Sequence, residues 1–198
     1  MEYMELLMQN LYGFVAAMMG ALVGGIFTLR ATDKAIREER AKEIRREEKE
    51  VQNMLDAIGV EIGTLWTFHM NRIGAIVENL PADGALEFYY PLTQDYFTVY
   101  NTNAAKIGQV KDAVLREAIV VCYNKCKKIV DGFKYNNELY VDYRNTAVQA
   151  AVTSMPEALV RAKRQALVDY GQMAKADHME CKGYVERMLM LLENRNQA

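Results

Sequence analysis

The sequence predicts an all-α chain: an N-terminal transmembrane helix that continues into a charged helical arm and a cytoplasmic antiparallel helical bundle. Three observations predict it. Residues 11–29 run for nineteen positions without a charge, apolar residues beyond position 50 recur at steps of three and four, and no alternating stretch of strand length appears. Three prolines in 198 residues leave room for long helices. With 51% hydrophobic and 25% charged residues, disorder is excluded. A formal charge of −2 gives no basic surface, so no direct sequence-specific nucleic-acid binding is expected. The odd set Cys122, Cys126 and Cys181 argues against a secreted disulfide scaffold.

The anchor is assigned to residues 1–30. Its uncharged run reads LYGFVAAMMGALVGGIFTL, and nineteen helical residues reach about 29 Å, against a hydrocarbon core of about 30 Å. A cleavable leader would need basic residues before a shorter apolar stretch; here Glu2 and Glu5 precede the run and no Lys or Arg does. Beyond it stand Arg30, Lys34, Arg37, Arg40, Lys42, Arg45, Arg46 and Lys49. That asymmetry predicts a single-pass membrane protein with its N-terminus outside and its C-terminal domain in the cytoplasm. Within the run Gly13, Ala17, Ala21 and Gly25 recur every fourth residue, and Gly20 with Gly24 makes a GxxxG. Small residues in such a stripe let helix backbones approach closely in lipid, so self-association is expected.

Residues 31–50 read as a solvated helical arm, with seven basic and seven acidic side chains from position 33 onward. Asp33 with Arg37 and Glu38 with Lys42 have the favourable acid-first spacing. No proline or turn cluster separates arm from anchor, so one continuous helix is expected. The bundle is assigned to residues 51–198. Val51, Leu55, Ile58, Ile62 and Leu65 form its first stripe, with Gly59 and Gly63 beside it; this face suits either another bundle helix or a second chain. The helix is expected to fade near Asn79, before the turn sequence PADG.

Residues 80–111 read as irregular and aromatic. Phe88, Tyr89 and Tyr90 require burial, and Tyr96, Phe97 and Tyr100 fit a short amphipathic helix. Asn101 and Asn103 suit turn positions, and Gly108 marks a further turn. Asp112 is the expected N-cap of the next helix, whose face is Leu115, Ile119, Cys122, Cys126, Ile129 and Phe133. Asn136 and Asn137 weaken that helix, and residues 153–156 end it. Pro156 is expected in the first turn of a last helix carrying Leu159, Leu167, Tyr170, Met173, Cys181, Tyr184, Met188 and Leu191.

Candidate chemistry is sparse. Cys122 and Cys126 lie one turn apart, as do His178 and Cys181, which permits a Cys₃His zinc site. All three cysteines also fall on stripes that a bundle must bury, and core thiols are the expected reading. His69, beside Trp66 and Phe68, reads as a packed ring. No phosphate loop, dinucleotide fingerprint, metalloprotease or hydrolase motif is present, so no catalytic residue, metal or cofactor is expected.

The stretch VYNTNAAKIGQVKDAVLREAIVVCYNKCKKIVDGF, residues 99–133, resembles a motif of uncharacterised bacterial and prophage single-pass membrane proteins. The matching residues are Tyr100, Asn101, Asn103, Ala104, Lys106, Ile107, Gly108, Arg116, Glu117, Ile119, Val120 and Tyr123, and the anchor and arm share the layout. The resemblance implies a motif turn through Tyr100, Asn101, Asn103, Lys106 and Gly108. It extends to small membrane effectors of phage-defence cassettes such as retrons. The expected function is therefore a membrane-anchored, non-enzymatic effector of a retron or toxin–antitoxin-like system. It would oligomerise in the bilayer and damage it under control of a cytoplasmic protein or ribonucleoprotein partner. The alternative is a structural membrane scaffold that recruits a cytoplasmic complex.

Overall fold

A computed structural model describes residues 2–92 and 95–195, and no strand occurs among the described residues. In order, the elements are α1 (Glu2–His69), a π-helical turn (Met70–Gly74), α2 (Ala75–Glu78), α3 (Thr98–Ile107), α4 (Ala113–Val152) and α5 (Glu157–Arg195). The chain divides into two units, Met1–Glu50 and Val51–Ala198. Position 1 of the expected anchor, positions 93–94 of the expected irregular segment and the last three of the expected bundle lie outside the described residues.

In the first unit, one helix carries both the apolar run and the charged arm. The run is long and apolar enough to cross a membrane, and none of its apolar window is buried. Phe14, Phe27 and Leu29 are 64%, 67% and 72% exposed. Thr28 donates its hydroxyl to the Gly24 carbonyl at 2.9 Å, so that polar group is satisfied inside the helix. Along the arm Arg37 pairs with Asp33 at 2.7 Å, as its spacing predicts. Glu38 does not take Lys42: it pairs with Lys34 at 3.8 Å, and Arg46 pairs with Glu50 at 3.2 Å. Exposed pairs differ by only tenths of a kcal/mol, about the cost of ordering their long side chains, so spacing alone does not decide among neighbours.

The second unit is built on three long helical segments. Leu55, Ile58 and Ile62 of α1 meet Leu115, Ile119, Tyr123 and Cys126 of α4 and Cys181, Val185, Met188 and Leu192 of α5 in one buried cluster. Each fully buried aliphatic side chain there contributes about 1.5–3 kcal/mol of transfer free energy. Val51 and Leu65 pack at its edge. Leu55, Ile58 and Ile62 of the predicted α1 stripe are thus covered by helices of their own chain, while Val51 and Leu65 are half-buried. A second cluster gathers Ile73, Val77, Leu80, Leu86 and Phe133 beneath the 80–92 segment.

Helices α4 and α5 run antiparallel: partners on α5 fall in number as those on α4 rise. Lys125 pairs with Glu180 at 2.6 Å, Lys128 with Asp177 at 2.7 Å, Tyr170 donates to Gly132 O at 2.9 Å, and Asp142 pairs with Lys163 at 2.6 Å. The α4 start is capped as expected, with Asp112 Oδ1 accepting from Val114 N at 2.8 Å and Leu115 N at 3.2 Å. Pro156 stands just before α5 and accepts Leu159 N at 3.0 Å.

Several expectations need correction. Tyr96 and Phe97 precede α3 rather than belonging to it. Tyr100, Asn101, Asn103 and Lys106 lie inside α3, and only Gly108 of the expected motif turn is in a turn. The asparagine-rich stretch stays helical because its polar groups bond back along the helix: Asn103 Nδ2 donates to Val99 O at 2.8 Å and Thr102 Oγ1 to Thr98 O at 2.8 Å. On α5, Leu159 and Met173 are exposed, since α1 and α4 do not cover those positions. Tyr89, expected to need burial, is exposed as well. Asn136 and Asn137 do not weaken α4; both are buried and hold another segment in place.

Candidate functional site

Two regions hold the residues singled out above. The first is the small-residue stripe of the apolar run. A Cβ built at Gly13, Gly20, Gly24 or Gly25 would meet no atom within 4 Å, and Ala17 and Ala21 are exposed. The stripe therefore presents bare backbone along one side of the helix, the surface that close helix pairing in lipid uses. In the bundle, Gly59 faces Leu192, whose Cδ1 would lie 3.3 Å from an added Cβ, whereas nothing crowds Gly63.

The second region lies where α1 ends. His69 closes the α-helical part, and the next turn widens into the π-helix Met70–Gly74. Such a bulge shifts the register of the residues beyond it, and here the shift starts beside two rings. Trp66 lies 5.2 Å from His69 and stacks on His178 at 5.4 Å. His69 Nε2 and His178 Nδ1 are 3.0 Å apart, and His178 Nε2 is 3.3 Å from Glu78 Oε1, which also accepts from Lys182 Nζ at 2.8 Å. With Glu78 ionised, His178 Nε2 must donate. A neutral His178 then accepts at Nδ1, which makes His69 Nε2 the donor. The chain Lys182–Glu78–His178–His69 joins α5 to α2, back to α5, and to the end of α1.

Electrostatics keep this chain neutral at its inner end. Burial, helped by the charge of a protonated His178, lowers His69 to about 4. Burial also lowers His178, against the opposing effect of the hydrogen bond it donates to Glu78. Glu78 is lowered by its bonds to Lys182 and then His178, and Lys182 is raised by Glu78. At neutral pH the carboxylate and ammonium are charged and both imidazoles are not.

Beside His69 lies a partly open cavity of about 70 Å³. Its walls include Trp66, Phe68, Tyr90, Phe97 and Phe133, with the thiols of Cys126 and Cys181 among the remainder. The two sulfurs are 3.6 Å apart. Hydrogen bonding from Cys122 first, and burial as well, raise Cys126; hydrogen bonding from Cys126 and burial raise Cys181. These thiols are protonated core groups rather than nucleophiles. His178 turns away to His69 and Glu78, so the imagined Cys₃His set is not assembled. Among the described residues no group of three His, Cys, Asp or Glu side chains is placed to hold a metal.

The backbone around the cavity is unusual at a second point. Phe97 sits at φ 67°, in the left-handed region, which for a bulky residue costs on the order of 1–3 kcal/mol. Burial of its ring against Tyr123, centroids 5.6 Å apart, opposes that cost. The sharp bend presents the free N–H groups of α3 to Glu61. Its Oε1 accepts Val99 N at 2.8 Å and its Oε2 accepts Tyr100 N at 3.2 Å and the Tyr123 hydroxyl at 2.8 Å. Burial raises Tyr123, so its hydroxyl remains a donor.

Sequence reasoning missed Glu61, Asn136 and Asn137. Asn137 Nδ2 donates to Tyr90 O at 2.7 Å while its Oδ1 accepts Tyr90 N at 2.7 Å, and Asn136 Nδ2 donates to Leu86 O and Phe88 O, both at 3.2 Å. A pair of amides on the buried side of an apolar stripe was the available signal, since buried polar groups need partners. Comparison with known protein families, curated proteins and solved structures finds no match for this chain.

Proposed function

We propose that this protein is a single-pass inner-membrane effector that acts by association rather than by chemistry. Its N-terminus lies outside and its bundle in the cytoplasm. The observation that carries the reading is the wholly unburied apolar run with its bare small-residue stripe. A single helix has no lumen, so membrane damage requires several copies, and the stripe is the surface that admits close packing. The bundle is the control element: a cytoplasmic protein or ribonucleoprotein holds the copies apart until it releases them. The resemblance of residues 99–133 to uncharacterised bacterial and prophage single-pass membrane proteins, which are similar to small effectors of defence cassettes, supplies the biological setting.

The test has two stages. A cytoplasm-dependent reporter at the C-terminus should be active and a periplasm-dependent one silent; the reverse would overturn the orientation. Expression without its genetic neighbours should then collapse the membrane potential, and Ala17→Leu with Ala21→Leu should insert normally but lose self-association and toxicity. A double variant as toxic as the parent would remove the stripe as the assembly surface. A harmless parent would replace the effector reading with a membrane scaffold.

A further inference from the structure

The cavity beside His69 has a chemical polarity that the effector reading does not use. Its walls are mostly aromatic and aliphatic, and none of the residues lining it is Asp, Glu, Lys or Arg. One fixed charge stands at its edge. The guanidinium of Arg72 lies 4.4 Å from the centre of the Phe68 ring, and Phe68 lines the cavity. Arg72 itself is exposed, and among the described residues no carboxylate is paired with it. Glu78, the acid six residues on, is already taken by His178 and Lys182.

We infer that this cavity binds a small organic monocarboxylate, apolar body inward against Trp66 and Phe133 and carboxylate outward on Arg72. Arg72 stands in the π-helical turn Met70–Gly74, which follows directly on His69 of the cavity wall. The left-handed Phe97 supplies another wall of this cavity. A planar guanidinium matches a carboxylate with two parallel N–H donors, and here it is already oriented by the Phe68 ring beneath it. A cationic ligand would meet the Arg72 charge with no acid to offset it. A neutral one would leave that charge unused. About 70 Å³ encloses part of a single ring or a short chain, so the ligand is small and its polar end stays near solvent.

Trp66 is the only tryptophan of the chain and lines the cavity, so its fluorescence reads occupancy directly. The full chain reconstituted in phosphatidylcholine vesicles is titrated at pH 7 with benzoate, hexanoate, benzyl alcohol and benzylamine. Benzoate should give a saturable change, binding about tenfold or more tighter than benzyl alcohol, with benzylamine weakest. Hexanoate matching benzoate would assign a chain-shaped acid; hexanoate far weaker would assign an aromatic one. Either result supports the site. Arg72→Gln, an exposed substitution that leaves the core untouched, should bring benzoate to the level of benzyl alcohol. The inference is overturned if no probe saturates, if benzoate and benzyl alcohol bind alike in the parent, or if Arg72→Gln keeps the preference. None of these readouts depends on toxicity or assembly, so the effector reading stands or falls separately.

Discussion

Lowering the pH from 7 to 5 should weaken the folded bundle by about 2 kcal/mol through His69 alone. An unfolded chain holds this imidazole near its ordinary 6.5, while burial and His178 lower it to about 4 in the fold. Between those values the unfolded chain binds a proton that the folded one refuses, so acid favours unfolding. The contribution is complete above 6.5 and is lost as the pH falls through 4. At pH 5 the solution stands 1.5 units below the unfolded value, and each unit is worth about 1.4 kcal/mol. His178 is displaced in the same direction. Glu78, held low by Lys182 and His178, adds a further loss only below its ordinary 4.5, outside this window. Urea unfolding of the full chain in micelles, followed by Trp66 fluorescence, should show the midpoint falling by about 1 M between pH 7 and pH 5. His69→Phe keeps a ring between Trp66 and Phe133 but cannot titrate. It should be less stable at pH 7, because His178 Nδ1 loses its donor, and should depend less on pH. A parent midpoint that moves by less than about 0.3 M, or equal losses in parent and variant, would refute the assignment.

Glu61→Ala removes the acceptor of two α3 amides and of the Tyr123 hydroxyl, and should cost about 2–4 kcal/mol, with amide exchange in residues 98–107 accelerating first. Asn137→Ala breaks the reciprocal pair with Tyr90 and should cost about 2 kcal/mol; limited proteolysis should then cut within residues 81–92, which the parent protects. Gly171→Ala places a methyl 3.0 Å from Leu80 Cδ2 and 3.3 Å from the Gly84 carbonyl oxygen, so despite better helix propensity it should lower thermal stability, by about 1 kcal/mol or more in calorimetry. A Gly171→Ala protein as stable as the parent would mean that the 80–86 segment yields freely.

Much of the architecture was legible in sequence because it depends on local periodicity. The uncharged run, the Asp112 cap and the break before Pro156 each rest on residues close in the chain, and each lies where its pattern places it. Tertiary structure decided the rest, because long-range partners override local preference. Asn101 and Asn103 prefer turns in isolation, yet Glu61, some forty residues earlier, caps the helix that absorbs them. Asn136 and Asn137 look like breaks in a stripe until the 86–90 segment arrives with unpaired carbonyls and an amide to satisfy. His69 and His178 are 109 positions apart and carry no spacing signal, so their hydrogen bond, lowered proton affinity and neighbouring cavity arise only when the end of α1 meets α5 in the folded bundle. Periodicity tells a residue which way to face; only the folded chain supplies what it meets there.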